Sequence, residues 1–62
     1  MQSPNETAIV DMLVSLIRIL KPVDVQVHHI SLNTHTCVVS CRTPKYIYIL
    51  DILLAQVYEY EL

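Results

Sequence analysis

The sequence predicts an α+β fold, a single small domain in which a helix, a β-hairpin and a second helix follow one another. Three features support this order: a long apolar segment that ends before Pro22, two stretches of strand-like residues between residues 23 and 42, and a Thr43-Pro44 pair followed by leucines at helical spacing. The 62 residues suffice for one domain at most, because chains of this length are near the lower limit for independent folding. The predicted layout is therefore α-β-β-α over residues 1–62.

The first helix is predicted over residues 4–20. The segment Ser3-Pro4-Asn5-Glu6 has the pattern of a capping box, with a serine at the cap, a proline in the first turn and a glutamate that reaches back. Pro22 cannot continue a helix and marks its end. On a helical wheel the polar residues form one narrow stripe, and the apolar arc is roughly twice the ~100° that a surface helix needs. We expect this helix to be buried on two sides.

Two strands, residues 23–32 and 36–42, are predicted to form a hairpin. Residues 23–27 alternate strictly, and the chain has no glycine, so the turn falls to Asn33-Thr34-His35. A three-residue loop would place Leu32 opposite Thr36 and Val27 opposite Cys41. One face would then carry the better core residues, namely Val25, Val27, His29, Cys37, Val39 and Cys41. The other face would carry Ile30, Leu32 and Val38, and it is too apolar to be plain surface.

The last third of the chain is predicted to be a helix over residues 44–60. Threonine followed by proline is typical of a helix start, and a helical wheel gathers one apolar side: Tyr46, Leu50, Leu53, Leu54 and Val57. Residues 46–50 are also typical of a strand, because β-branched and aromatic side chains dominate them. An α-β-β-β-α order, with a short strand at 45–50, is the alternative. Residues 50–54 match the LxxLL pattern of helices that dock into apolar grooves, but we expect the pattern to arise from burial of the same leucines in the core, since an apolar helical stripe is the ordinary sign of burial.

Every histidine and cysteine lies between residues 25 and 41, which raises the question of a metal site. Cys37 and Cys41 are four positions apart, roughly 13 Å along a strand, whereas two thiolates on one zinc ion lie less than ~4.6 Å apart. The same spacing excludes a disulfide between them. In the predicted register only His29 shares their face. We therefore expect the cysteines to be small buried hydrophobic residues and predict no metal site and no cofactor, with His29, Cys37 and Cys41 as the candidates should one exist.

Composition argues against several functional classes. The net charge is −2 with four basic residues, so the cationic surface that nucleic-acid binding requires is missing. Catalytic triads, paired carboxylates and glycine-rich phosphate loops are also missing from the sequence. No apolar stretch reaches the ~18 residues of a membrane span, and the first seven residues do not resemble a signal peptide. These features predict a non-enzyme that is soluble and intracellular, cytoplasmic or nuclear.

The apolar content is high for so small a domain. Apolar residues make up 53% of the chain and charged residues 16%, although a small domain has much surface and little interior. We expect part of the surface to be buried against another copy or another protein, as in a small adaptor, a viral or phage accessory protein or an oligomerisation module. The expected interface residues are Met12, Leu16, Ile19, Ile30, Leu32, Val38, Tyr48 and Tyr58. The alternative is a metal- or redox-responsive regulator acting across a dimer interface through His28, His29, His35, Cys37 and Cys41.

Overall fold

A computed structural model of the protein describes residues 4–62, which form one helix and one four-stranded antiparallel sheet. The strands lie in the sheet in the order in which they follow along the chain. The elements are α1 (Pro4–Leu20), β1 (Gln26–Leu32), β2 (Thr36–Thr43), β3 (Tyr46–Asp51) and β4 (Gln56–Glu61). The predicted α+β class in a single small domain is confirmed, whereas the predicted α-β-β-α layout is wrong.

Helix α1 has the bounds that the sequence predicts. Its last turn closes with the Lys21 amide donating to the Ile17 carbonyl at 2.9 Å, and Pro22 follows without an amide hydrogen to continue the helix. The predicted cap, Ser3, lies outside the described residues. Leu13 and Ile17 point into the sheet and are 1% and 0% exposed. One side of α1 is thus fully buried.

The first hairpin is confirmed, but its register differs from the predicted one. Val27 lies opposite Cys41 as expected, whereas Leu32 lies opposite Cys37 and His29 opposite Ser40. The ladder is irregular on both sides of Val27, so the alternation of β1 shifts by one residue near His28. His29 therefore does not share the face of the cysteines. Ile30 and Leu32 move to the cysteine face, which also corrects their predicted placement.

The predicted second helix over residues 44–60 is wrong, and two strands take its place. The Thr43–Pro44 peptide is cis and lies in the turn between β2 and β3 rather than at a helix start. The strand of the alternative order, at 45–50, corresponds to β3, but the helix that should follow it is β4. Side chains on a strand alternate between faces, so the leucines at helical spacing do not gather: Leu50 is buried, while Leu53 and Leu54 are 73% and 63% exposed in the turn.

The core lies between α1 and one face of the sheet. Leu13 and Ile17 supply the helix side, and the sheet side comes from β2 and β3: Cys37, Val39, Cys41, Tyr48 and Leu50. Both cysteines are free and buried. They pack as small apolar side chains, as the sequence predicts. α1 lies mainly over β1 and β2, and every residue of β4 is exposed.

Candidate functional site

The sheet face turned away from α1 is apolar and uncovered. Its apolar centre, called the open face below, consists of five side chains from β2, β3 and β4: Val38, Ile47, Ile49, Tyr58 and Tyr60. Polar residues on the same side of the sheet border this centre: Thr36, Ser40, Asp51 and Gln56. Each alternates along its strand with residues of the helix side, so all five point the same way. Within residues 4–62 no element packs on them. An antiparallel sheet with one solvated face normally has polar residues on that face, and here the centre of the solvated face is apolar.

Strand register brings the five residues together in two rows. Ile49 lies opposite Val38 on one side and Tyr58 on the other. Ile47 lies opposite Tyr60 in the next row. Val38, Ile47 and Ile49 are half-buried by their neighbours, whereas Tyr58 and Tyr60 are 40% and 53% exposed. Cross-strand aromatic and β-branched pairs of this kind stabilise a sheet, and here they also form a continuous apolar surface.

The Tyr58 ring is held in place by a neighbouring side chain of its own strand. The Tyr58 hydroxyl donates to Gln56 Oε1 at 2.7 Å. A ring fixed in this way loses little rotamer entropy when a partner covers it, and tyrosine combines apolar area with a polar tip. The open face therefore includes a pre-positioned aromatic residue.

A basic corner adjoins the open face at the β1–β2 side. Arg42 follows the inward-pointing Cys41, and its Nη2 donates to His28 Nδ1 at 3.0 Å. Because a guanidinium only donates, Nδ1 of His28 is the acceptor in this hydrogen bond. His29 lies opposite Ser40 on the same side of the sheet. A complementary surface would match the apolar rows and place an acidic or accepting group near Arg42.

A second apolar feature lies beside α1, on the helix side of the sheet. It is a groove of about 360 Å³ with Met12, Leu16 and Ile19 on its helix wall and Leu50 and Val57 on its floor. It exists because α1 covers β1 and β2 more fully than β3 and β4. Met12 and Ile19 are 58% and 76% exposed, so this side of α1 is not buried within the protomer.

A small polar network ties the end of α1 to the sheet. Lys21 Nζ lies 3.4 Å from the carboxylate oxygens of Glu59 and 4.1 Å from the centre of the Tyr46 ring. Burial lowers the pKa of Lys21, but the hydrogen bond and charge of Glu59 outweigh it, so the pKa is raised overall. Tyr48 lies opposite Glu59. Burial first, and Glu59 second, raise the pKa of Tyr48 well above its ordinary value.

The His and Cys residues are separated by the fold. Cys37 and Cys41 point into the core, where burial raises the pKa of both thiols, while His29 lies on the opposite side of the sheet. His35 is exposed in the first hairpin turn. In the part of the chain that the structure describes, no three His, Cys, Asp or Glu side chains are placed to hold a metal ion. The thiolate form, which binds metals and reacts, is disfavoured at both cysteines.

The predicted interface residues fall in four places. Met12, Leu16 and Ile19 line the groove, Ile30 and Leu32 border a shallow depression beside the start of α1, and Val38 and Tyr58 belong to the open face. Tyr48 is only 1% exposed and belongs to the protomer core.

Sequence reasoning missed Ile47, Ile49 and Tyr60 as surface neighbours, because it placed them on a helix. The alternation of residues 46–50 was the signal that could have identified the two isoleucines.

The comparisons add no relative. The chain matches no family model, no curated protein and no solved structure. Among residues 4–62, no helix has both the length and the apolar content needed to cross a membrane.

Proposed function

We propose that this protein is a non-catalytic protein-interaction module and that the open face binds the partner. The observation that carries the proposal is the contiguity of Val38, Ile47, Ile49, Tyr58 and Tyr60 on an uncovered sheet. Monomeric proteins seldom leave apolar patches of this kind exposed, and such patches mark interaction sites. Aromatic residues are enriched at the centres of interfaces, where they supply most of the binding energy.

The partner is a protein with an apolar surface and an acidic group at its edge. The two apolar rows would form the dry centre of the interface. Arg42 lies at the rim of the open face, where it would orient a carboxylate more than it would add affinity. The groove beside α1 is the weaker candidate, because its lining is almost entirely apolar and offers only Ser15 as a polar side chain to fix the orientation of a partner.

Site-specific photo-cross-linking in the cell of origin tests the proposal. A benzophenone amino acid at Val38, which lies on the open face two strands away from the outer edge of β4, should cross-link a defined protein, and the same group at Thr34, in the first hairpin turn, should not. The affinity of the captured protein is then measured for Ile49→Asp and for the matched control Thr34→Asp. We expect Ile49→Asp to weaken binding about thirtyfold or more, as a buried charge at an interface centre does, and Thr34→Asp to leave it unchanged.

Two results would overturn the proposal. One is cross-linking at Thr34 as efficient as at Val38. The other is an affinity that Ile49→Asp leaves unchanged while far-UV circular dichroism shows the fold intact. If the captured protein is a second copy of this chain, the open face is a self-association surface and the adaptor role is withdrawn.

A further inference from the structure

The two edges of the sheet differ in their ability to accept another strand. β1 has an irregular ladder near His28, and such bulges blunt an edge against pairing. β4 is paired with β3 without any irregularity from Tyr46–Glu61 to Asp51–Gln56, and all of its residues are exposed. It contains neither proline nor glycine. β4 is therefore a flat edge that is open to strand addition.

The free hydrogen-bonding groups of β4 can be assigned. The Leu62 amide donates to the Lys45 carbonyl across the ladder with β3. Residues of an antiparallel strand alternate between bonding one neighbour and bonding the other. The amides and carbonyls of Val57, Glu59 and Glu61 therefore point away from β3. An added strand would pair with these three residues.

We propose that the occupant of this edge is the β4 strand of a second copy, paired antiparallel about a two-fold axis at Tyr58. A two-fold axis perpendicular to the sheet keeps each side chain on its own face of the sheet. Residues directly opposite each other must share a face, so at the axis one residue lies opposite its own copy. Axes at Glu59 or Tyr60 would place glutamates directly opposite glutamates, which destabilises a sheet. An axis at Tyr58 places Val57 opposite Glu59 and Gln56 opposite Tyr60. Charge thus excludes the registers at Glu59 and Tyr60. An axis at Val57 would pair only residues 56–58 of each β4, because the strand begins at Gln56, whereas the axis at Tyr58 pairs residues 56–60.

The contacts around this axis are favourable. Glu59 already has a cation beside it, since Lys21 Nζ lies 3.4 Å away, so the Val57 side chain of the partner meets a neutralised carboxylate. The two Tyr58 rings lie side by side on the open face. Together the two sheets make one eight-stranded sheet with both helices on the same side. The open faces of the two copies become continuous, which doubles the surface proposed to bind the partner protein. Formation of the dimer does not require that protein.

Disulfide trapping tests the register. In the proposed pairing the two residues 58 form a non-hydrogen-bonded pair with Cα atoms about 4.5 Å apart, which suits a disulfide. Tyr58→Cys should give a covalent dimer on mild oxidation. The matched variant Tyr60→Cys should not, because its Cα atoms would be about 14 Å apart. The unaltered protein, whose two cysteines are buried, is the background control. A dimer trapped by Tyr60→Cys and not by Tyr58→Cys would overturn the register.

A proline substitution tests the edge itself. Val57→Pro removes an amide that points away from β3 and leaves the hydrogen bonds between β3 and β4 intact. The control Val57→Ala also replaces the valine side chain but keeps the amide. By native mass spectrometry we expect a dimer for the unaltered protein and for Val57→Ala, and a folded monomer for Val57→Pro. An unaltered protein that is monomeric at high micromolar concentration would overturn the proposal. So would a dimer that survives Val57→Pro but dissociates in Ile49→Asp, a result that locates self-association on the open face instead.

Discussion

Two of the three hairpins of this sheet have turns built in the same way: the β1–β2 hairpin, called the first, and the β3–β4 hairpin, called the second. Of these two, only the first is recognisable from its sequence. In the first turn, Asn33 Oδ1 accepts from the amides of His35 and Thr36 at 2.9 and 2.8 Å and from the Thr36 hydroxyl at 3.0 Å. In the second, Asp51 Oδ1 accepts from the Leu54 amide at 3.1 Å. Both turns replace the missing glycine by a side-chain oxygen that satisfies backbone amides.

The difference lies in the residues between the strands. The first turn is Asn-Thr-His, a polar break that indicates a loop, while the second is Ile-Leu-Leu-Ala, which continues an apolar helical pattern. The first hairpin is also covered by α1, and the second is exposed along its outer strand. A turn can therefore be organised by one aspartate while its other residues suggest a helix. The following predictions test how far the two hairpins differ in stability.

The largest effect on stability should come from truncating a side chain of α1 that packs on the first hairpin. Ile17→Ala leaves a cavity over β2 and should cost about 2–5 kcal/mol, which approaches the whole stability of a domain this small. Leu53→Ala, in the exposed turn of the second hairpin, should change the free energy of unfolding by less than about 0.5 kcal/mol. Urea denaturation measures both. Equal costs for the two variants would mean that the turn leucines pack against something in solution.

The side-chain oxygens of Asn33 and Asp51 should contribute unequally to the stability of the protein. Asn33→Ala loses three hydrogen bonds and should destabilise the protein by about 1–2 kcal/mol, and Asp51→Ala loses one and should cost about 0.5–1 kcal/mol. Thermal unfolding of each variant gives the comparison. If Asp51→Ala is the more damaging, the second turn depends on that aspartate more than its single bond indicates.

Substitution by glycine should have opposite effects on the free energy of unfolding at Ala55 and at Ala8. Ala55 ends the second turn with φ of 52°, in the left-handed region where a Cβ atom is unfavourable. Ala55→Gly should therefore stabilise the protein by about 0.5–1 kcal/mol after the entropy of the unfolded chain is included. Ala8→Gly, on the exposed side of α1, should cost about 1 kcal/mol. The same sign in both variants would contradict the left-handed turn.

The smallest effect concerns two tyrosines of the second hairpin. The buried Tyr48 hydroxyl has no hydrogen-bond partner within residues 4–62, so Tyr48→Phe should raise stability by up to about 1 kcal/mol. Tyr58→Phe loses only an exposed bond and should change stability by less than about 0.5 kcal/mol. A marked loss in Tyr48→Phe would show that the hydroxyl bonds Glu59 in solution.

Tyr48→Phe and Tyr58→Phe should also differ in how their stability changes at alkaline pH. Because the pKa of Tyr48 is raised on folding, the folded state holds this proton at a pH where the unfolded chain releases it, and stability falls as pH rises above the ordinary value of 10.0. That part of the alkaline loss should vanish in Tyr48→Phe and remain in Tyr58→Phe. Unfolding curves at pH 8 and pH 11 give the measurement.

The sequence by itself determined α1, the first hairpin and the buried cysteines. These features depend on local patterns: a helix ended by Pro22, a polar turn at Asn33, and cysteines spaced along a strand. Tertiary structure alone decided the rest. The alternation of β1 shifts near His28, which moves His29 away from the cysteines, and β3 and β4 exist because each pairs with a neighbour. Strand pairing is a long-range interaction, and apolar residues at 50, 53, 54 and 57 satisfy a helical wheel until the partner strand is known.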